Sequence, residues 1–453
     1  MEAEKLGIPS VVIATTGFVT AAQLAAKSSG IENLRVAEYP GAIAIHAPGR
    51  IAENIATVLL DRVIQGLTQS TPASMADAPG SGKDRGKIVF AGTLEEVNRF
   101  FADQEWTDGL PVIPPTLEKT ERFLEYTLRA ADDELAVLAP GNLRATLPNV
   151  AANAIMAGCE PRHMPLLIAA VEALSEESYN LNNMGSTSGL LPYLLVNGPI
   201  IKQLGIECGG QLISKGPNPA LGRAIGLIVR NIAGYRPGKN YMGTFGYPLI
   251  FALAENEGQT PWQPFHVEHG FDASSSTVTL GVTNNWGHAP APSSAPDKNG
   301  AQITLEVLCR ELSKRVRLYN LPGHGENAER AMITLLLSPP VANSLAGSGY
   351  SKQAVKEYLY ENARMPRRDF EWARRYTGGT RVASSEEHRD INAGGHTQKP
   401  DDLIRLLSSP EIVHVIVCGD PNRNRVMVFE GGHARPATKE IKFPPNWDEL
   451  AAT

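Results

Sequence analysis

The chain has 453 residues, and its 42 Lys and Arg against 48 Asp and Glu leave a formal net charge of −6. Hydrophobic residues make up 42% and charged residues 20%, an ordinary globular balance that excludes wholesale disorder. An acidic chain without a block of Lys or Arg argues against nucleic acid or an anionic membrane as a partner. At about 150 residues per domain, the length suggests two or three domains. Cys159, Cys208, Cys309 and Cys418 are too scattered for a disulfide framework and fit reduced thiols in a cytoplasmic protein. No run approaches the roughly 20 apolar residues that span a bilayer. The first residues also lack the basic and apolar regions of a signal peptide.

The stretch from Ile8 to Thr15 is rich in β-branched residues and reads as a buried parallel strand. An Ala-rich helix from Val19 to Lys27, a strand from Leu34 to Tyr39 and a helix from Ile51 to Gly66 follow. Two short strands cannot make a parallel sheet covered on both faces. Residues 1–69 therefore read as the second half of a flavodoxin-like α/β domain, and an unpaired strand edge predicts a homo-oligomer. LGIPSVVIATTGFVTAAQLAA, the strand ending at Pro40 and the long terminal helix resemble the carboxyl half of the UGSC family of (seleno)proteins. That family in turn resembles the selenoprotein B component of glycine and betaine reductases, and the resemblance implies thiol or selenol redox chemistry. The family's Cys-Gly-Ser-Cys motif is absent from this chain, so no residue inherits that redox centre.

Residues 70–87 are small, polar and rich in Pro and Gly, the composition of a linker. Gly80-Ser81-Gly82-Lys83 lacks the spacing and the leading strand of a P-loop. Residues 88–453 form the main body, read as one mixed α/β unit or two subdomains. Its predicted strands cover 87–92, 190–196, 276–282, 331–337, 413–418 and 425–429, the last two joined through Gly419-Asp420-Pro421-Asn422. Its predicted helices cover 93–104, 117–131, 146–157, 161–174, 218–232, 301–316, 340–346 and 351–362. Thr93 and Glu96 form a capping box at the first of these. No internal repeat is visible. The phrases NAIMAGCEP, VNGP, NPALGRAI, LSPPVA and SKQAVKEYL resemble a domain of bacterial proteins, some of them linked to UGSC segments. That resemblance implies a large enzyme-like body and no particular reaction.

Four constellations carry chemistry. Cys159 lies between Gly158, suited to end one helix, and Pro161, suited to begin the next. A helix start stabilises a thiolate, and Arg162 and His163 add positive charge; the plainer reading is a small buried cysteine. The loop from Asn182 to Gly189 places Ser186 among glycines, as in an anion nest or a surface loop, and the strand after it ends in Asn197-Gly198-Pro199. Lys215, Asn218 and Arg223 surround a helix start that either holds a carboxylate or phosphate or is only a cap. His266-Val267-Glu268-His269, with Glu255, Glu257, Asn284, Asn285 and His288 nearby, resembles a divalent-metal cluster; His324 and Glu326 form a weaker case.

These readings predict an α/β enzyme acting on a small acidic substrate, with an oxidoreductase favoured over a lyase or hydrolase. In the thiol reading, Cys159 is the nucleophile, Arg162 or His163 activates it, and Asn153 and Ser186 position the substrate. Lys215, Asn218, Arg223 and Asn197 bind that substrate. In the second reading, His266, Glu268 and His269 hold a metal for a lyase or hydrolase. A third makes the chain a non-catalytic assembly subunit.

Overall fold

The structure, a computed structural model, describes Ala3, Leu6 and residues 8–68, 87–187, 189–244, 246, 250–315, 332–376, 399, 401–432 and 434–451. The predicted linker, apart from Lys87, and the tetrapeptide 80–83 lie outside the described residues, as do His324 and Glu326. In the N-terminal segment, β1 (Val12–Thr15) and β2 (Val36–Tyr39) run parallel and are connected by α1 (Val19–Ser28). The long helix α2 covers Pro48–Asn54, a π-helical turn Ile55–Leu59, and Leu60–Thr68. Among the described residues its buried hydrophobic cluster is small, made of Ala37, Tyr39 and Leu59. Ile13 and Ile45 stay 59% and 83% exposed, as a two-stranded sheet too small to cover itself requires.

The predicted strand 87–92 is absent: residues 87–90 carry no strand pairing, and Ile88 and Val89 are exposed. α3 (Leu94–Asp103) follows with its capping box in place, Thr93 Oγ1 accepting from the Glu96 N–H and Glu96 Oε2 accepting from the Thr93 N–H. α4 (Leu117–Leu124) stops earlier than predicted, and a hairpin of β3 (Glu134–Leu138) and β4 (Leu143–Thr146) fills the gap. α5 (Leu147–Ala157) ends at Gly158, whose φ of +92° is the left-handed conformation that favours glycine. α6 (Met164–Leu174) follows in the same helical layer.

Two four-stranded sheets form the body. The first contains β5 (Leu191–Asn197), β6 (Phe251–Ala254) and β7 (Thr277–Thr283), with α7 (Asn218–Asn231) crossing over between β5 and β6. β6 lies parallel to β5 on one side, and β7 antiparallel on the other. The chain then continues into β8 (Asn285–His288) and α8 (Gly300–Arg315). The second sheet repeats the plan with β9 (Met332–Leu337), helices α9 (Pro339–Gly347) and α10 (Lys352–Asn362), β10 (Val413–Val417) and β11 (Val426–Gly431). β10 lies parallel to β9, and β11 antiparallel on its other side. β10 and β11, joined through the Gly419–Asn422 loop, are thus separated by β9. β12 (Ala437–Glu440) ends the pattern.

The fourth strand of each half completes the sheet of the other: β8 pairs with β11, and β12 pairs with β7. This is a repeat of topology with exchanged strands, although the sequence shows no repeated phrases. Alternation along β9 explains the stacking. Met332 and Leu336 join the core of the first sheet, while Ile333, Leu335 and Leu337 pack with α8, α9 and α10. Between the sheets, the Tyr193 hydroxyl lies 2.6 Å from Thr334 Oγ1, and Phe429 meets the Tyr193 and Phe251 rings edge-on. α6 covers β7 and β12, and α7 covers β6. The layers therefore run helix, sheet, sheet, helix.

Candidate functional site

Parallel pairs β5/β6 and β9/β10 each end at one edge of their sheet, and these two ends meet. The Asn256 N–H donates to the Val417 carbonyl at 2.7 Å, and the Gly419 N–H donates to the Cys208 carbonyl at 2.8 Å. Carboxyl ends of parallel strands are where α/β sheets bind ligands, because their loops diverge there. At this junction a charged cluster is buried.

Asn197 closes β5, and its Nδ2 donates to Glu255 Oε2 at 2.7 Å and to Glu257 Oε1 at 3.0 Å. Glu255 Oε2 also accepts from the Phe265 N–H at 2.6 Å, and Glu257 Oε1 accepts from the Gly198 N–H at 2.7 Å. Across the junction, α10 presents Lys352 and Lys356 one turn apart, both buried. Lys352 Nζ lies 3.4 Å from Glu255 Oε1 and 3.5 Å from Glu268 Oε2, while Lys356 pairs with Glu268 Oε1. His266 is fully buried with Nδ1 3.5 Å from Glu257 Oε1. His269, stacked on Phe265, and His414 from β10 complete the group.

Burial pushes the Glu255 carboxyl above its usual range, against the opposing pull of Lys352 and the Phe265 N–H. Glu268 is also partly buried, but Lys356 and Lys352 hold it below that range. Burial lowers His269, and it lowers His414 to about 3 with help from His269 and Lys356. Several buried polar atoms here have no hydrogen-bond partner among the described residues: Asn197 Oδ1, both ring nitrogens of His266, Glu268 Oε2 and His414 Nδ1. Such atoms are rare in folded proteins, although Glu268 Oε2 and His266 Nδ1 each keep an ionic neighbour at 3.5 Å.

Of the residues singled out in sequence, Asn197, His266, Glu268 and His269 come together here, joined by Glu255 and Glu257. The three proposed metal ligands do not converge. His266 faces Glu257, Glu268 faces the two lysines, and His269 Nδ1 sits 2.7 Å from the Phe265 carbonyl. Among the described residues no group of three or more His, Cys, Asp or Glu side chains is placed to hold a metal ion. Asn285 bonds Glu430, and Asn284, Asn285 and His288 lie at the other end of the strands, because β7 runs antiparallel to β5. Lys352, Lys356 and His414 were missed. The available signal was a pair of lysines in the i, i+3, i+4, i+7 stripe that α10 shares with Val355 and Leu359.

The expected thiol site is dispersed. Cys159 is half-buried against the core, and burial together with Glu160 raises its thiol rather than lowering it. Burial likewise raises Cys208, Cys309 and Cys418. Arg162 pairs with Glu160 at 2.6 Å, and His163 Nδ1 accepts from the Glu160 N–H at 3.0 Å, closing the helix start. Asn153 Oδ1 accepts from Asn231 Nδ2 at 2.7 Å and ties α5 to α7. Ser186 lies at the amino end of β5, opposite Asn197.

The expected anion site at Asn218 is a structural clamp. The buried Asn218 side chain accepts from the Glu207 N–H and donates to the Glu207 carbonyl, both at 2.9 Å. Lys215 pairs with Glu207 at 3.2 Å on the surface. Arg223 grips Asp108 through two bonds of 2.8 and 2.9 Å and donates to the Pro111 carbonyl. Burial alone would raise Asp108, but the Arg223 pair outweighs it and holds the carboxyl low. Arg223 thus anchors the 108–111 loop.

Fold and site together define a mixed α/β protein with a buried carboxylate–lysine cluster at its strand ends. Residues 1–69 match the UGSC family. No curated protein and no solved structure matches the chain. Among the described residues no helix is long and apolar enough to cross a membrane.

Proposed function

We propose that the chain is an acid–base enzyme of the lyase or hydrolase kind, acting on a small acidic substrate at the strand-end cluster. The observation that carries this reading is the set of buried polar atoms without a hydrogen bond on Asn197, His266 and Glu268, packed beside Glu255, a carboxyl whose pKa burial raises. Glu255 keeps its proton to a higher pH than an ordinary carboxyl and serves as the general acid. Lys352, held between Glu255 and Glu268, balances negative charge that develops on the substrate. His266 next to Glu257 supplies the opposing base, and Asn197 orients both carboxylates. The two lysines favour an acidic substrate.

The test is a screen of small carboxylic acids and their esters by proton release or uptake, with Glu255→Gln and Cys159→Ser run beside the native chain. Activity should fall at least a hundredfold in Glu255→Gln and persist in Cys159→Ser. The reverse pattern returns the chemistry to the thiol.

Assembly through the N-terminal segment is a second reading, and a specific observation favours it. Ile13, Ile45, Leu60 and Ile64 all stay exposed on this small segment, and exposed apolar side chains favour association.

A further inference from the structure

We propose that the cavity between α1 and the body is a binding site for a free amphipathic organic anion. The cavity measures 710 Å³, within the range of small-molecule sites. One wall is a single face of α1: Ala21, Leu24, Ala25 and Ser28 recur at helical spacing, with Phe18 extending the apolar stripe. Ala21, Ala25 and Ser28 are short, so this part of the helix face leaves room rather than filling it.

The opposite wall is built to stay in place. A Cβ on Gly185 would lie 2.2 Å from the Asn240 carbonyl oxygen, so only glycine lets this loop lie flat on its neighbour. The Met242 N–H donates to the Gly185 carbonyl at 3.1 Å. The buried Tyr235 hydroxyl donates to the Leu181 carbonyl at 2.7 Å and accepts from the Gly185 N–H at 3.3 Å. Asn142 Nδ2 donates to the Ser28 carbonyl at 2.8 Å and ties α1 to the body.

Charge selects the ligand. Among the described residues Lys27 is the one Lys, Arg, Asp or Glu lining the cavity, so none of their carboxylates opposes an anion there. Its ammonium has no ion pair among the described residues. Asn182 and Asn183 add amide donors to the same cavity. An apolar body fits the α1 face, and a carboxylate or sulfonate head fits Lys27 and the amides. The loop carrying Asn182 and Asn183 leads into the amino end of β5, whereas the charged cluster sits at its carboxyl end. The two sites therefore stand or fall separately.

The experiment uses the full chain and 8-anilinonaphthalene-1-sulfonate as a fluorescent anion, displaced by decanoate below its micelle concentration or by decanol. Decanoate should displace the dye at least tenfold more effectively than decanol. Lys27→Ala should remove that preference, and Ala25→Trp, which fills the cavity, should weaken dye binding at least tenfold with the near-ultraviolet circular dichroism retained. Ile45→Ser should leave displacement unchanged, separating the cavity from the exposed apolar surface. The proposal is overturned by equal displacement with decanol, by decanoate binding that survives Lys27→Ala within twofold, or by the absence of any displaceable dye.

Discussion

His163 and His414 show how burial sets the pH behaviour of single residues. Burial lowers His163 to about 4 and His414 to about 3, from 6.5. Unfolded, each histidine takes up a proton as pH falls through about 6.5, whereas in the fold it stays neutral until its depressed value. Their stabilising effect is thus complete above pH 6.5 and is lost progressively as pH falls toward 4 and 3. The slope is about 1.4 kcal/mol per pH unit for each group. Urea unfolding between pH 7.5 and 4.5 should show this fall, and His414→Leu should make the curve shallower by one group's share. Parallel curves for the two proteins would mean that His414 titrates normally in the fold.

Two glycines on one helix separate propensity from packing at the scale of an element. A Cβ on Gly222 of α7 would lie 2.3 Å from the Ile250 carbonyl oxygen, a backbone atom that cannot turn aside. A Cβ on Gly226, one turn later, meets only Ile250 side-chain atoms at 3.7 Å and beyond. Alanine favours helix over glycine by about 1 kcal/mol. Gly226→Ala should therefore raise stability by up to about 1 kcal/mol, while Gly222→Ala should lower it by about 2 kcal/mol or more. Thermal melts of the two variants check this, and equal effects would show that α7 can lift away from β6 at little cost. Helix α7 itself was legible from the sequence, but which of its glycines carries the contact was not.

For the whole molecule, the reciprocal strands β8 and β12 lock the two sheets to one another, whereas the N-terminal segment has no such partner for its apolar surface. Residues as exposed as Ile13 and Ile45 are expected to be covered by a second copy of the chain. Light scattering behind size exclusion should give a dimer or larger species at micromolar concentration. Ile13→Asp with Ile45→Asp should shift it to monomer while the unfolding midpoint of the body is unchanged. A native chain that stays monomeric at every concentration would leave that surface without a role in assembly.

Local features were readable from residues alone wherever the signal is local. The Thr93–Glu96 capping box, the left-handed Gly158 and most helices and long strands follow from neighbours a few positions apart. The metal-like run at His266 lies in the buried cluster, but composition cannot say that Glu268 faces lysines 84 and 88 positions downstream. Arg223 looked like an anion ligand until Asp108, far away in sequence, was seen to occupy its guanidinium. Cys159 looked activated because a helix start stabilises a thiolate, and burial against the core overrode that effect. The exchanged strands are invisible to any local pattern, because β8 and β12 read alike whichever sheet accepts them. Sequence by itself determined most helices, the long strands and their apolar faces. Only the tertiary structure decided which strand ends meet, and so which carboxylates, lysines and histidines lose water together.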